Sequence, residues 1–139
     1  MSGCCSGARR VIIEATVLRV DGETCDRCGD TLDAVRTAAS ELEAELASLN
    51  VSVMLVEHST TSERLKDSNT VLVNGRPLES LIGAERVSTE CASCGDLVGA
   101  SVCCGATSVD GAISEAVTVN QVRDAVFAAL GTDDGCGCG

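Results

Sequence analysis

Tryptophan and tyrosine are missing from this 139-residue chain, and Phe127 is its only aromatic residue. A stacking platform for nucleobases is thereby excluded, and the core has to be assembled from Val, Leu, Ile and Ala. Pro77 is the single proline and His58 the single histidine. His58 follows Glu57 at the end of an apolar run, so a place on the rim is expected, and no Ser/His/Asp arrangement can be assembled around it. Positive charge is scarce too: ten basic residues, of which only Lys66 is a lysine, face 21 acidic ones for a formal net charge of −11. Such a surface repels phosphate backbones and anionic lipid, so nucleic acid and membrane are not expected partners. The arginine bias suits a salt-rich cytoplasm or a genome of biased base composition. No stretch approaches the ~20 apolar residues that a membrane span needs.

What the chain has in quantity is cysteine, ten residues of it. In a secreted protein this content would imply a disulfide framework, whereas in a reducing cytosol it points to metal binding or redox chemistry. Met1-Ser2-Gly3-Cys4-Cys5 runs into Arg9-Arg10 rather than an apolar signal core, so a cytoplasmic protein is expected. The final Cys136-Gly137-Cys138-Gly139 mimics a prenylation box, but Gly137 is not aliphatic and the pattern is set aside.

The length fits one domain with a single core. Residues 11–20 are rich in β-branched side chains and stop at Asp21-Gly22, which predicts a strand and a turn. Leu32, Val35, Ala39, Leu42, Leu46 and Leu49 then recur at steps of three and four, the buried stripe of an amphipathic helix. Val51 to Val56 reads as a buried strand, which completes a βαβ unit with parallel strands. Residues 60–66 suggest a short helix, and Thr70 to Val73 a third strand ending at the turn Asn74-Gly75. Pro77 opens a helical or irregular piece through Ile82. From Arg86 to Ala106 the pattern dissolves into Gly, Ser and Cys and is expected to lie outside the core. Residues 107–117 hold Asp110-Gly111 and suggest a hairpin. Thr118 with Gln121 forms a capping box before a last helix with the stripe Val119, Val122, Val126 and Leu130, ending near Gly131.

Cys25-Asp26-Arg27-Cys28 lies between the first strand and the first helix. Backbone N–H groups at a helix start stabilise a thiolate, and this spacing lets the second thiol reach the first. Arg27 adds positive charge there, opposed by Asp21, Glu23, Asp26 and Asp30. Cys91-Ala92-Ser93-Cys94, with Cys103 and Cys104 beyond it, offers two readings. The four can supply thiolates to a tetrahedral zinc or iron–sulfur site, or they can form a resolving pair that exchanges disulfide with Cys25 and Cys28. Cys4, Cys5, Cys136 and Cys138, in the segments 1–10 and 132–139, suit capture of a soft metal ion or have no role.

Asp21-Gly22-Glu23-Thr24-Cys25-Asp26-Arg27-Cys28, Ser68-Asn69, Asn74-Gly75-Arg76-Pro77-Leu78-Glu79, Cys91-Ala92-Ser93-Cys94 with Leu97 and Gly99, and Cys104 together resemble the thioredoxin-like family designated domain of unknown function 2703. The resemblance spans most of residues 11–130. It implies an α/β fold, a thioredoxin-like βαβ…ββα sandwich over 11–131 with a cysteine-bearing loop insertion at 86–106. It brings no established reaction. Where the family continues its third cysteine as Cys-Arg-Thr, this chain has Cys104-Gly105-Ala106, so an anion-binding arginine is not carried over. Where thioredoxins place a cis-proline before the third strand, this chain has Asn69, and a trans peptide is expected there. Without that proline the Cys25/Cys28 pair is expected to be more open to a metal or cluster.

Two functional expectations result. In the first, Cys25 attacks and Cys28 resolves in thiol–disulfide exchange with a protein partner, which makes the chain an oxidoreductase. In the second, the chain binds zinc, an iron–sulfur cluster or a soft toxic metal without turnover, through Cys91, Cys94, Cys103 and Cys104.

Overall fold

The structure is a computed structural model and describes residues 9–99 and 102–132. Its first sheet has four strands in the order β2-β1-β3-β4: β1 (Arg9–Leu18), β2 (Val51–Thr60), β3 (Thr70–Val73) and β4 (Arg76–Pro77). β1 and β2 are parallel, β3 runs antiparallel to β1, and β4 antiparallel to β3. A second sheet, in the order β5-β6-β7, is wholly antiparallel and consists of β5 (Glu85–Glu90), β6 (Cys103–Val109) and β7 (Ala112–Ser114). The helices are α1 (Asp26–Leu46), α2 (Leu78–Ile82), α3 (Ala92–Val98) and α4 (Val119–Thr132), with 3₁₀ turns at Ala47–Leu49 and Ser62–Asp67.

The core follows the two periodicities of the sequence. Val11, Ile13, Ala15 and Val17 alternate down one face of β1, in register with Val71 and Val73 of β3, and all are buried. Onto this face α1 lays Leu32, Val35, Ala38, Leu42 and Leu46, and α4 adds Val122, Ala125, Val126 and Ala129. Each Val or Leu taken from water contributes about 1.5–3 kcal/mol. The aliphatic core therefore stands without an aromatic residue; Phe127 is 46% exposed. The capping box at α4 is present in both directions: Gln121 N–H donates to Thr118 Oγ1 and Thr118 N–H to Gln121 Oε1, each at 3.1 Å. Asp21-Gly22, Asn74-Gly75 and Asp110-Gly111 all have positive φ at both residues, the backbone that two-residue hairpin turns need.

Three expectations are corrected. Val51–Val56 is not a strand buried on both sides. β2 is an edge strand, Val51 and Val53 face the core, and Met54, the next residue, turns away from it and is 46% exposed. Leu49 leaves the helical stripe because α1 tightens into a 3₁₀ turn there, and it is 65% exposed. Residues 86–106 are no loop: β5, α3 and β6 order this stretch, and Cys91 and Ala106 are buried. Its apolar residues are too sparse to signal strands, because β5 exposes most of its length and docks by polar contacts. No described helix is long and apolar enough to cross a membrane.

Candidate thiol site

β1 ends at Leu18, a short bridge between Val20 and Glu23 turns the chain, and α1 begins. Cys25 is the N-cap of that helix, with extended backbone (φ −77°, ψ 165°), and its sulfur accepts the N–H of Cys28 at 3.4 Å. A cysteine thus takes the role that Ser or Asp usually fills at this position. Cys28, on the first turn, donates its thiol hydrogen to Cys25. That bond, then burial, and then the charge of Cys25 push the Cys28 thiol well above its ordinary value, against opposing backbone contacts from Leu18 and Asn69. The pair is asymmetric: Cys28 is a weaker acid than an ordinary thiol and keeps its proton beside the Cys25 sulfur. Neither is open. Cys25 is 2% and Cys28 0% exposed, which corrects the expectation of an accessible pair.

What closes the site is polar. Arg27, between the two cysteines, is itself buried and sends its guanidinium into the second sheet. Nη1 donates to Gly105 O at 3.2 Å, and Nη2 to Glu90 O at 2.9 Å and to Glu115 Oε1 at 3.0 Å. It acts as a strut between the thiol motif and the second sheet. Asn69 repeats this from the other side. It stands just before β3 in a left-handed conformation (φ 54°), no peptide bond among the described residues is cis, and its buried amide donates to Gly105 O at 2.8 Å and Glu115 O at 2.7 Å. Its oxygen accepts from Thr31 Oγ1, and that hydroxyl in turn accepts Val117 N–H at 3.0 Å. The residue standing where a cis-proline was the comparison is therefore a crosslink between α1 and the second sheet.

Position 105 has a reason to be glycine. A Cβ there would lie 2.3 Å from Nη2 of Arg86, whose guanidinium donates to Ser68 O at 2.6 Å and Asn69 O at 3.0 Å. An arginine group does stand against this position, but it comes from β5.

The other predicted residues are spread out. Cys91 is the N-cap of α3, 4% exposed, and lies, like Cys25 and Cys28, in the hydrophobic core. Cys103 opens β6 opposite Glu90 and is exposed. Cys94 lies in α3 and Cys104 in β6 opposite Thr89, but their side chains, like Cys4, Cys5, Cys136 and Cys138, fall outside the described residues. Among the described residues no three His, Cys, Asp or Glu side chains form a potential metal cluster. His58 is on the rim, paired with Glu14 at 3.0 Å. Sequence reasoning named Arg27 and Asn69 but missed their roles as strut and crosslink. One signal was available for Cys91: Cys-x-x-Cys-Gly-Asp occurs twice, at 25–30 and at 91–96.

Residues 11–126 match the family model described as a domain of unknown function, DUF2703. The chain belongs to this family. An uncharacterized protein of Archaeoglobus fulgidus is 37% identical over 110 residues, covering 76% of this chain and 77% of that protein. No solved structure matches the chain. The matched region of this DUF2703 member contains both Cys-x-x-Cys motifs, Asn69, Arg86 and Gly105.

Proposed function

We propose that this DUF2703 protein is a thioredoxin-like thiol protein that performs thiol–disulfide exchange through Cys25 and Cys28. The thioredoxin-like reading draws support from the sheet order β2-β1-β3-β4, from the βαβ unit followed by an antiparallel ββ pair, and from two long helices packed on one another. The observation that carries the chemistry is the Cys25 sulfur at the N-cap of α1, accepting the Cys28 N–H while the Cys28 thiol is held protonated beside it. The Cys25 thiolate attacks one sulfur of a partner disulfide. A Cys25–partner bond forms, the partner's S–S bond breaks, and the displaced sulfur leaves as a thiolate. Cys28 then gives up its proton and attacks Cys25, so that a Cys25–Cys28 disulfide forms and the partner leaves as a dithiol. An external dithiol reductant restores the pair. Because both thiols are buried, exchange waits on a local opening at the Arg27 contacts.

The test is trapping. Cys28→Ser cannot complete the second step and is expected to accumulate a mixed disulfide at Cys25 on incubation with oxidised glutathione, while Cys25→Ser accumulates none at Cys28, as read by peptide mapping of this motif. Equal labelling of the two variants would end the proposal. Elemental analysis of anaerobically purified protein addresses the metal-binding reading in the same preparation. Stoichiometric zinc or iron that is lost from a Cys91→Ser, Cys94→Ser variant would favour it.

A further inference from the structure

Two buried cysteines each start a Cys-x-x-Cys-Gly-Asp segment. Cys25 and Cys91 are both N-caps with extended backbone, and both helices open with the same hydrogen bond, Gly29 N–H to Cys25 O at 2.8 Å and Gly95 N–H to Cys91 O at 3.0 Å. Cys94 therefore occupies the position along α3 that Cys28 occupies along α1. α1 packs against α3, and Cys25, Cys28 and Cys91 are all buried in the hydrophobic core of the molecule. Arg27 ties the motifs together, since its Nη2 binds the carbonyl of Glu90, the residue just before Cys91. Cys25 and Cys91 are 2% and 4% exposed. An external disulfide must wait for the fold to open before it meets either sulfur, whereas the two sulfurs share an interior. Tethering in one chain also gives them an effective concentration on the millimolar scale or above.

We propose that Cys91 is the internal redox partner of Cys25, so that the two Cys-x-x-Cys motifs pass a disulfide between them. This rests on the exchange chemistry assigned to Cys25 and Cys28. When the second motif is oxidised, the Cys25 thiolate attacks Cys91 of the Cys91–Cys94 disulfide. A Cys25–Cys91 bond forms and Cys94 leaves as a thiolate. Cys28 then gives up its proton and attacks Cys25, forming the Cys25–Cys28 disulfide and releasing Cys91 as a thiolate. Two electrons have moved from the first motif to the second, and no outside reagent is consumed. The chain so gains two reactive ends, one to meet a reductant and one to meet a substrate disulfide.

The full chain carrying Cys28→Ser and Cys94→Ser removes both resolving thiols and traps the central intermediate. Reduced protein is treated with one equivalent of a diazene thiol oxidant, alkylated, and digested without reduction. Cleavage at Glu90 and before Asp96 isolates Cys91 from Cys103 and Cys104, and cleavage at Arg27 isolates Cys25 from position 28. The expected product is the Cys25–Cys91 linked peptide, in about tenfold excess over any other linkage of Cys25. In parallel, the wild-type chain is given the same single equivalent, and the disulfide is expected to divide between Cys25–Cys28 and Cys91–Cys94. This arm needs no folded variant. If Cys25 is joined to other sulfurs or alkylated, and the wild-type disulfide stays wholly in one motif, the relay is overturned. Should Cys28→Ser still form its glutathione adduct in that case, the exchange reading survives and only the relay falls; with no adduct, both fall together.

Discussion

The two sheets of this molecule are held by different forces. The four-stranded sheet buries an aliphatic face: β1 alternates buried and half-buried residues down its length, and its apolar side chains meet two helices with matching stripes. The three-stranded sheet has little of this. β5 exposes Glu85, Arg86, Ser88 and Glu90, and Glu79 from α2 reaches Thr107 through a buried hydrogen bond of 3.2 Å. Its link to the rest runs through the Arg27 guanidinium, the Asn69 amide and the Arg86 guanidinium, all aimed at backbone carbonyls. Apolar burial tolerates small shifts in position, but hydrogen bonds to fixed carbonyls lose their strength within a fraction of an ångström. The second sheet is thus the part of the fold expected to release most readily, and Arg27 joins it to the thiol motif.

The comparison is broken most severely in the aliphatic half. Ile13 is fully buried on the central strand, and Ile13→Ala is expected to destabilise the whole chain by about 2–5 kcal/mol. A guanidinium titration should show one transition at lower midpoint, with amide protection lost evenly in both sheets.

Next in size is Arg27→Leu, which keeps an apolar stem and removes the donors to Gly105 O, Glu90 O and Glu115. Glu90 O loses its guanidinium donor while Gly105 O keeps only the Asn69 amide, at an expected cost of about 1.5–3 kcal/mol. Here the loss should be local: hydrogen exchange accelerates in β5 and β6 while β1 keeps its protection, and alkylation of Cys25 speeds up. Equal acceleration in both sheets would show that they form one cooperative unit and that the contrast between them is only one of chemistry.

That contrast also explains what could be read from the chain beforehand. The βαβ unit, the third strand with its Asn74-Gly75 turn and the Thr118 cap were legible because each rests on local signals: a period of 2, a period of 3.6, a turn dipeptide or a capping box. The cysteine pair at the head of α1 was legible from its spacing. The second sheet was not, because β5 and β6 carry no clear apolar alternation, and their partners Arg27 and Asn69 are 78 and 36 residues from Gly105. An arginine in a Cys-x-x-Cys motif signals charge. Nothing local to it announces that its target is a carbonyl on a distant strand. The burial of Cys25 and Cys28 was misjudged for the same reason, since the missing proline ring is replaced by an amide crosslink that only tertiary structure shows.

Smaller effects sharpen the picture. Gly105→Ala places a Cβ within 2.3 Å of the Arg86 guanidinium, at a site where backbone strain plays no part. Arg86 has to withdraw from Ser68 O and Asn69 O, and the loss of hydrogen bonds from a charged donor is expected to cost about 1–3 kcal/mol. A second change, Arg86→Ala, removes the obstacle together with those bonds. In the Arg86→Ala background, Gly105→Ala should therefore add almost nothing, a non-additivity that a double-mutant cycle reads directly. Additive losses would mean that Gly105 is needed for some reason other than the guanidinium across it.

The smallest effect joins the two halves at the thiols. The Cys28 thiol is held above its ordinary value in the folded protein, first by its bond to Cys25 and then by burial. A raised value means that the folded state keeps this proton where the unfolded chain, near pH 8.5, gives it up. The contribution is complete below that pH and is lost as the pH rises above it. Over the first pH unit beyond the ordinary thiol value, stability should fall by up to about 1.4 kcal/mol on this account. In Cys28→Ser the proton in question is gone, so its unfolding midpoint under reducing conditions should decline less steeply over the same range. Parallel slopes for the two proteins would show that Cys28 does not hold its proton more tightly when folded. The asymmetry that makes Cys25 the attacking sulfur and Cys28 the resolving one would then lose its physical basis.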